Sequence, residues 1–201
     1  MSADYESAKG YALKRLAQDL SPQLFYHSLY HTRDEVLPAV EYLAENEGVV
    51  GDAFQVLMTA AFYHDIGFTI QYEDHEVASA IIAAEVLPNF GFSSDQLKII
   101  HGIIMATRLP QTPDTMLEKI MADADLDVLG KPDFLPRNQD LRRELEAQGR
   151  CIDDLHWYTG QVNFLKSHQF KTRTARVRRG PQKQRNLIEL EKLMLKSQEK
   201  V

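Results

Sequence analysis

The chain has 201 residues, of which 44% are hydrophobic and 26% charged, and a formal net charge of −6. This length and apolar content support a buried core and exclude wholesale disorder. No apolar run approaches the roughly 18 residues that a membrane span requires. The first residues lack the pattern of a signal peptide, and the acidic balance argues against general nucleic-acid binding. We therefore expect a cytoplasmic protein that does not bind membranes.

The chain contains one cysteine, Cys151, which has no partner for an intrachain disulfide or a shared zinc site. This usage fits a reducing compartment. Any metal must therefore be held by histidine and carboxylate side chains. The length favours one domain over residues 1–201. The sequence leaves the oligomeric state open, a homo-oligomer included.

The sequence predicts helices along the chain and no strand, because Val and Ile do not alternate between turn residues. The first predicted helix covers about 27–47 and is interrupted by Pro38. Asp52 is expected to cap the second, which carries His64 in its last turn before a left-handed Gly67. Together with the later segments, this pattern indicates an all-α fold.

A capping box formed by Ser93 and Gln96 predicts the start of one later helix. Thr112 followed by Pro113 predicts the start of another. We expect the remaining helices over about 74–87, 93–105, 112–130, 138–148 and 152–168, with a last charged helix after Pro181.

Three short motifs stand in an order that suggests a metal site. The first is Tyr26-His27-Ser28-Leu29-Tyr30-His31-Thr32, the second Phe62-Tyr63-His64-Asp65-Ile66-Gly67, and the third Asp123-Ala124-Asp125-Leu126-Asp127-Val128-Leu129-Gly130. Adjacent imidazole and carboxylate groups at a helix end can offer a metal two ligands from one turn. In this order the motifs resemble those of the HD superfamily of metal-dependent phosphohydrolases.

The resemblance implies an HD-domain helical bundle over about 22–130, with additional C-terminal helices over 131–201. It also implies one divalent metal, held by the first histidine, the His-Asp pair and a later aspartate. These ligands correspond here to His31, His64, Asp65 and Asp123. His27 is a rival for the first position, since it lies four residues earlier on the same helix face.

Helical spacing sorts the three aspartates of the last motif. Asp123 and Asp127 are four residues apart and share a face, whereas Asp125 is rotated by roughly 200° and should point elsewhere. Asp123 is therefore the expected ligand. Asp65 and Asp127 are the expected catalytic carboxylates. Asp127 either orients the attacking water or hydrogen-bonds a metal ligand from behind, and a solvated acid near a helix end is the alternative.

Two further histidines, His75 and His101, resemble those of the dinuclear branches of the superfamily, such as the HD-GYP phosphodiesterases and the HD-type di-iron oxygenases. They could hold a second metal, with Asp65 as the bridge between two ions. They could also hydrogen-bond a phosphate from outside a mononuclear site. Histidine and carboxylate ligands suit Mn, Fe, Zn, Co and, less well, Mg.

The resemblance implies hydrolysis of a phosphomonoester or phosphodiester of a nucleotide or similar small metabolite. Arg108 is the preferred phosphate contact, followed by Lys98. The acid-free basic run over 171–185 is either a solvated face or loop or a flap that faces the phosphate. Two other functions stay open: an HD-type di-iron oxygenase, and a non-catalytic module that binds a ligand.

Overall fold

Nine α-helices account for most of residues 3–199, the part of the chain that the computed structural model describes, and no β-strand occurs within it. The prediction of an all-α fold is confirmed. The helices are α1 (Tyr5–Asp19), α2 (Leu37–Asn46), α3 (Gly51–Tyr63), α4 (His75–Val86), α5 (Ser94–Met105), α6 (Met116–Asp125), α7 (Phe134–Ala147), α8 (Asp154–Ser167) and α9 (Arg173–Gln198). Short 3₁₀ turns follow α3, α4 and α6, at Ile66–Thr69, Leu87–Phe90 and Asp127–Gly130.

Helix α3 lies at the centre of the core and is buried continuously over residues 56–63. Helix α1 packs against it, and the Tyr63 hydroxyl donates a hydrogen bond to the Ala8 carbonyl at 3.0 Å. The buried face of α1 consists of Ala8, Ala12 and Leu16, which are four residues apart. That spacing indicates a helix, in a segment for which we made no prediction from the sequence.

The first predicted helix is divided into two parts. A π-helical segment, His31–Val36, leads directly into α2, and Pro38 lies in the first turn of α2. The helix is continuous across this junction, since the Leu37 N–H donates to the Thr32 carbonyl of the π-helical segment. The helix predicted over 27–47 therefore begins at His31 and continues through Pro38, with a change from π-helical to α-helical hydrogen bonding just before the proline.

Two helix starts differ in their agreement with the sequence. The capping box of Ser93 and Gln96 is confirmed at α5. The prediction that Asp52 caps α3 is wrong, because the helix begins at Gly51 and Asp52 instead accepts a hydrogen bond from the Tyr5 hydroxyl at 2.6 Å.

Gly67 is required for close packing and not for a left-handed turn, so that prediction is also wrong. A Cβ atom at this position would lie 2.0 Å from the His75 carbonyl oxygen and 2.8 Å from the Ser79 amide nitrogen. The Gly67 N–H also donates to Ser79 Oγ at 2.8 Å. The first turn of α4, which carries His75, therefore packs directly on the backbone after α3.

Helix α9 begins at Arg173 and continues through Pro181, so the prediction of a last helix that starts after Pro181 is wrong. Thr172 caps it, since its Oγ1 accepts from the Ala175 N–H at 3.1 Å. The basic run therefore lies largely on a packed helix. Several of its side chains have partners within the fold: Arg179 binds Asp127, Lys183 donates to the His168 carbonyl, and Arg176 donates to the Phe170 carbonyl.

No helix within residues 3–199 combines the length and apolar character that crossing a membrane would need.

Candidate metal centre

Three of the side chains singled out in the sequence converge in the core. One ligand atom from each of His31, His64 and Asp65 lies within 4.8 Å of the other two, and all three residues are buried. His64 Nε2 is 3.2 Å and His31 Nε2 is 3.8 Å from Asp65 Oδ2. These separations resemble those between ligands that share one ion, whose own bonds are about 2.0–2.2 Å long. The group could hold a metal ion.

The fourth group at this cluster is Asp125. Its Oδ1 lies 3.3 Å from His31 Nε2 and 3.6 Å from His64 Nε2. Asp125 is the last residue of α6, where the chain leaves the helix, and its side chain is mostly buried. Helix-face reasoning had assigned it to another direction, and that prediction is wrong.

Asp123 faces away from this cluster and stabilises the start of α9. Its two oxygens accept hydrogen bonds from the backbone N–H groups of Lys171 and Thr172, both at 2.7 Å, and from Thr172 Oγ1 at 2.8 Å. The prediction that Asp123 is a metal ligand is therefore wrong. Its oxygens are occupied by the N-cap region of α9, and Asp125 takes the place beside the histidines.

Asp127 shares a face with Asp123, as the spacing predicted, but that face is also turned to α9. The Arg179 guanidinium binds both Asp127 oxygens, at 2.6 and 2.7 Å, and Lys131 Nζ is 3.5 Å from Oδ2. This buried carboxylate is thus occupied by an ion pair. The predicted role of Asp127 in orienting a water is wrong.

Two atoms at the cluster have no hydrogen-bond partner although they are buried, His64 Nε2 and Asp65 Oδ2. Buried polar atoms are rarely left without a partner, because the lost solvation is not recovered. These two atoms face each other at 3.2 Å. A cation bound between them would satisfy both, so the residues present fit a metal ion.

The other nitrogen of each histidine is held by an acceptor. His31 Nδ1 lies 3.1 Å from Glu35 Oε2, and His64 Nδ1 lies 2.8 Å from the Ala61 carbonyl. Glu35 is itself buried and receives two 3.0 Å hydrogen bonds from Arg137. Such acceptors place the proton on Nδ1 and leave Nε2 free to bind a metal.

Negative charge dominates the cluster. Burial alone would lower the pKa of His31, but hydrogen bonds to Asp125 and Glu35 and the charge of Asp65 outweigh it and raise this pKa to about 9. Burial alone would raise the pKa of Asp65, but His64, followed by His27 and His75, holds it well below the ordinary value. Burial acts in the same direction on Asp125, yet hydrogen bonds to His31 and His64 lower its pKa to about 2. The carboxylates are thus ionised and attract positive charge.

A pocket of about 400 Å³ opens beside the cluster, with Asp65 and Asp125 in its wall. The turn that follows α6, together with α7 and α8, supplies most of the remaining wall. A volume of this size is typical of sites for small molecules. The cluster is therefore accessible to a ligand from one side.

Of the two additional histidines, the structure brings only His75 to the site. His75 Nε2 lies 3.6 Å from Asp65 Oδ1 and 3.6 Å from Glu76 Oε1, and its ring stacks on Phe68 with centroids 3.8 Å apart. His101 is exposed on α5 and does not line the pocket, so its predicted role at a second metal is wrong. The physical reason is that the opposite face of α5 is buried, through Ile100, Ile103 and Ile104.

His27 lines the pocket, although the sequence suggested it only as an alternative to His31 for the first metal ligand. Its Nδ1 lies 2.5 Å from Glu144 Oε1, and the Tyr72 hydroxyl donates to the same oxygen at 3.0 Å. The other oxygen of the fully buried Glu144 accepts the backbone N–H groups of Tyr26 and His27. Only Nε2 of His27 is then left for a ligand.

The predicted phosphate contacts lie elsewhere. Lys98 is exposed and forms an ion pair with Asp95 at 3.0 Å. Arg108 is half-exposed and forms an ion pair with Asp74, and it belongs to a separate surface depression. Neither side chain lines the pocket beside the cluster, so both predicted phosphate contacts are wrong. Thr107 and Leu109, the residues on either side of Arg108, do line this pocket.

Comparison with known proteins gives one sequence relative and no functional name. Over 85 residues the chain is 32% identical to an uncharacterized protein from Clostridium beijerinckii. The match covers 41% of this chain and 53% of that protein, so the chain spans about half the length of the relative. No family model and no solved structure matches the chain. The all-helical fold and the His/His/Asp cluster are compatible with an HD domain.

Proposed function

We propose that the protein is a metal-dependent phosphohydrolase of the HD type. The observation that carries the proposal is the convergence of His31, His64, Asp65 and Asp125 beside a pocket, with two buried ligand atoms that have no other partner. With Asp125 as the last ligand, the four residues follow one another along the chain in the ligand order of the motifs that resemble the HD superfamily. The chemistry that a divalent ion supplies in such a site is Lewis-acid activation of water and of a phosphoryl oxygen.

The chain's own residues have separate tasks in this reaction. His31 and His64 bind through Nε2, because Glu35 and the Ala61 carbonyl hold their Nδ1 atoms. Asp65 and Asp125 supply negative charge that balances the ion. Since the cluster is buried except on the pocket side, bulk water is largely excluded and electrostatic interactions are strengthened.

His27 is suited to transfer a proton to the leaving group. The Glu144 carboxylate lies 2.5 Å from His27 Nδ1 and fixes the orientation of the ring, which leaves Nε2 as the donor on the pocket side. A leaving alkoxide needs such a proton because it is strongly basic. Glu144 acts through His27 and is thus a positioning residue.

His75 and Glu76, next to Asp65, are candidate ligands for a second metal. The two oxygens of Asp65 face different histidines, with Oδ2 towards His64 and Oδ1 towards His75. Asp65 would then serve two ions, with His75 and Glu76 as further ligands, an arrangement compatible with the dinuclear phosphodiesterases and with the di-iron oxygenases of the superfamily. The di-iron oxygenase is the second candidate function. Iron bound at two ions per chain, together with oxygen consumption and no phosphate release, would favour it over hydrolysis.

The test combines metal analysis with phosphate release. Protein purified without chelator should contain at least one Mn, Fe, Zn or Co ion per chain, and it should release phosphate from some member of a panel of phosphate esters. His64→Ala should lose both properties. If the variant retains the wild-type metal content and activity, the proposal is wrong. A nucleotide as the substrate stays a prediction from the resemblance.

A further inference from the structure

The pocket beside the metal centre has an apolar wall and an acidic one. Its charged side chains, within the described part of the chain, are Asp65, Glu76 and Asp125, and no lysine or arginine lines it. The apolar wall comes from the turn after α6 and from α7 and α8, and includes Leu126, Leu129, Phe134, Leu141 and Phe164. Further phosphates of a nucleoside di- or triphosphate would find no lysine or arginine here and would depend on the metal and the histidine rings.

Three polar side chains that line the pocket, Asn138, Gln161 and Thr107, already form hydrogen bonds within the fold. Trp157 Nε1 donates to Asn138 Oδ1 at 3.1 Å, and Asn138 Nδ2 donates to Gln161 Oε1 at 2.6 Å. Thr107 Oγ1 donates to the Ile104 carbonyl at 2.8 Å. On the side formed by α7 and α8, the hydroxyl groups of a ribose and the polar edge of a base would therefore meet mainly apolar side chains and polar atoms that already have a partner. Burying such groups without hydrogen bonds costs binding energy.

From these two features we infer that the substrate is a phosphate monoester of an apolar alkyl or aryl alcohol. The phosphate binds at the metal centre and the carbon body fills the apolar part of the pocket. This inference rests on the proposed function and narrows its substrate class. Burial of the apolar body provides the affinity that an ester of glycerol or a sugar would lack.

The reaction is a simple hydrolysis whose atoms balance. The oxygen of one water forms a bond to phosphorus as the bond from phosphorus to the alcohol oxygen breaks. The alcohol oxygen takes a proton from His27, and the proton lost by the attacking water returns to His27 through solvent. The products are inorganic phosphate and the free apolar alcohol, and no oxidant or reductant is needed.

The first experiment measures binding, which does not depend on turnover. Octylphosphonate, methylphosphonate and AMP are titrated calorimetrically into the Mn²⁺-loaded protein. We expect octylphosphonate to bind more tightly than each of the others by about tenfold or more, because only its chain gains from apolar burial. Equal affinities, or tighter binding of AMP, would overturn the inference.

A pair of variants locates the carbon body. Leu109 lines the pocket and is 56% exposed, so Leu109→Lys should fold, and it places a cation at the pocket. The ratio of octylphosphonate to AMP affinity should fall several-fold in this variant. Ile81→Lys is the matched control, since Ile81 is 53% exposed and lies outside the pocket. An unchanged ratio in Leu109→Lys, or an equal change in Ile81→Lys, would contradict the placement.

Turnover then separates this inference from the proposed function. Octyl phosphate should be hydrolysed with a kcat/KM at least about tenfold above that of AMP. If phosphate is released from both esters without preference, the inference fails and the proposed function stands. If no ester is hydrolysed but octylphosphonate still binds preferentially, the proposed function fails while the pocket preference is retained.

Discussion

Asp125 Oδ1 lies 3.3 Å from His31 Nε2, so the end of α6 meets the start of the π-helical segment at the candidate metal centre. Two residues earlier, Asp123 binds backbone N–H groups at the start of α9. The two carboxylates belong to one short motif, yet one faces the candidate ligands and the other holds the C-terminal helix in place. Their separate tasks can be measured independently.

Asp125→Asn should weaken metal binding, while Asp123→Asn should weaken the fold. We expect Asp125→Asn to raise the Kd for Mn²⁺ or Zn²⁺ by at least about 10–100-fold, the loss typical of even indirect ligand support. Asp123→Asn should reduce the free energy of unfolding by about 1–3 kcal/mol, because its amide group would face N–H donors. Calorimetric titration and urea unfolding of the metal-free variants check both. The reverse pattern would restore Asp123 as the ligand.

How far the sequence predicts this site is best seen at the same motif. Helical spacing correctly grouped Asp123 with Asp127, since both face α9, through Thr172 and Arg179. It could not tell which of the two faces is turned to the histidines, because that depends on how α6 and α9 pack. The resemblance identified His31, His64 and Asp65. His64 and Asp65 are adjacent at the end of α3, whereas the approach of His31 depends on the packing of the π-helical segment against α3.

The other differences also arise from long-range packing. The resemblance to dinuclear branches suggested a shared site for His75 and His101, but the apolar residues of α5 turn His101 to solvent. The role of His27 depends on Glu144, which lies 117 residues away and cannot be linked to it by spacing. The capping box at Ser93 was predictable because it is complete within four residues.

His27→Gln should impair proton transfer but leave the metal in place. The expected loss in kcat is about 10²–10⁴-fold for an alkyl phosphate, the range of general acid catalysis. For p-nitrophenyl phosphate the loss should be much smaller, since nitrophenolate leaves without a proton. Steady-state kinetics on the two esters, together with metal analysis, provide the test. Equal losses on both would instead indicate a structural role for His27.

His168 should make stability depend on pH. Burial, with the nearby charges of Lys183 and Lys171, lowers the pKa of His168 to about 4, and both ring nitrogens are buried without a partner. The unfolded chain therefore binds this proton first as the pH falls. Relative to His168→Gln, the wild type should lose up to about 3 kcal/mol between pH 6.5 and 4, and nothing above pH 7. Urea unfolding of both proteins at each pH gives the difference, and parallel curves would refute it.

Gly67→Ala should destabilise the protein because its methyl group would overlap the His75 carbonyl, 2.0 Å away. The first turn of α4 must then move, at a cost of about 1–3 kcal/mol, and His75 moves with it. Gly10→Ala is the matched control, since Gly10 lies within α1 and a Cβ atom there would meet nothing within 4 Å. That variant should gain up to about 1 kcal/mol from higher helix propensity. Thermal or urea unfolding would show whether the two changes have opposite signs.

Asp127 and Arg179 should behave as a structural ion pair. Arg179→Met leaves the buried Asp127 carboxylate without its bidentate partner and should cost about 3–5 kcal/mol of stability. Adding Asp127→Asn should recover part of this loss, because the remaining side chain is then uncharged. The double variant should retain metal binding and phosphate release close to the wild-type level. Urea unfolding of the two single variants and the double variant gives the coupling energy. A fall in kcat with unchanged stability would return Asp127 to the catalytic role that its motif first suggested.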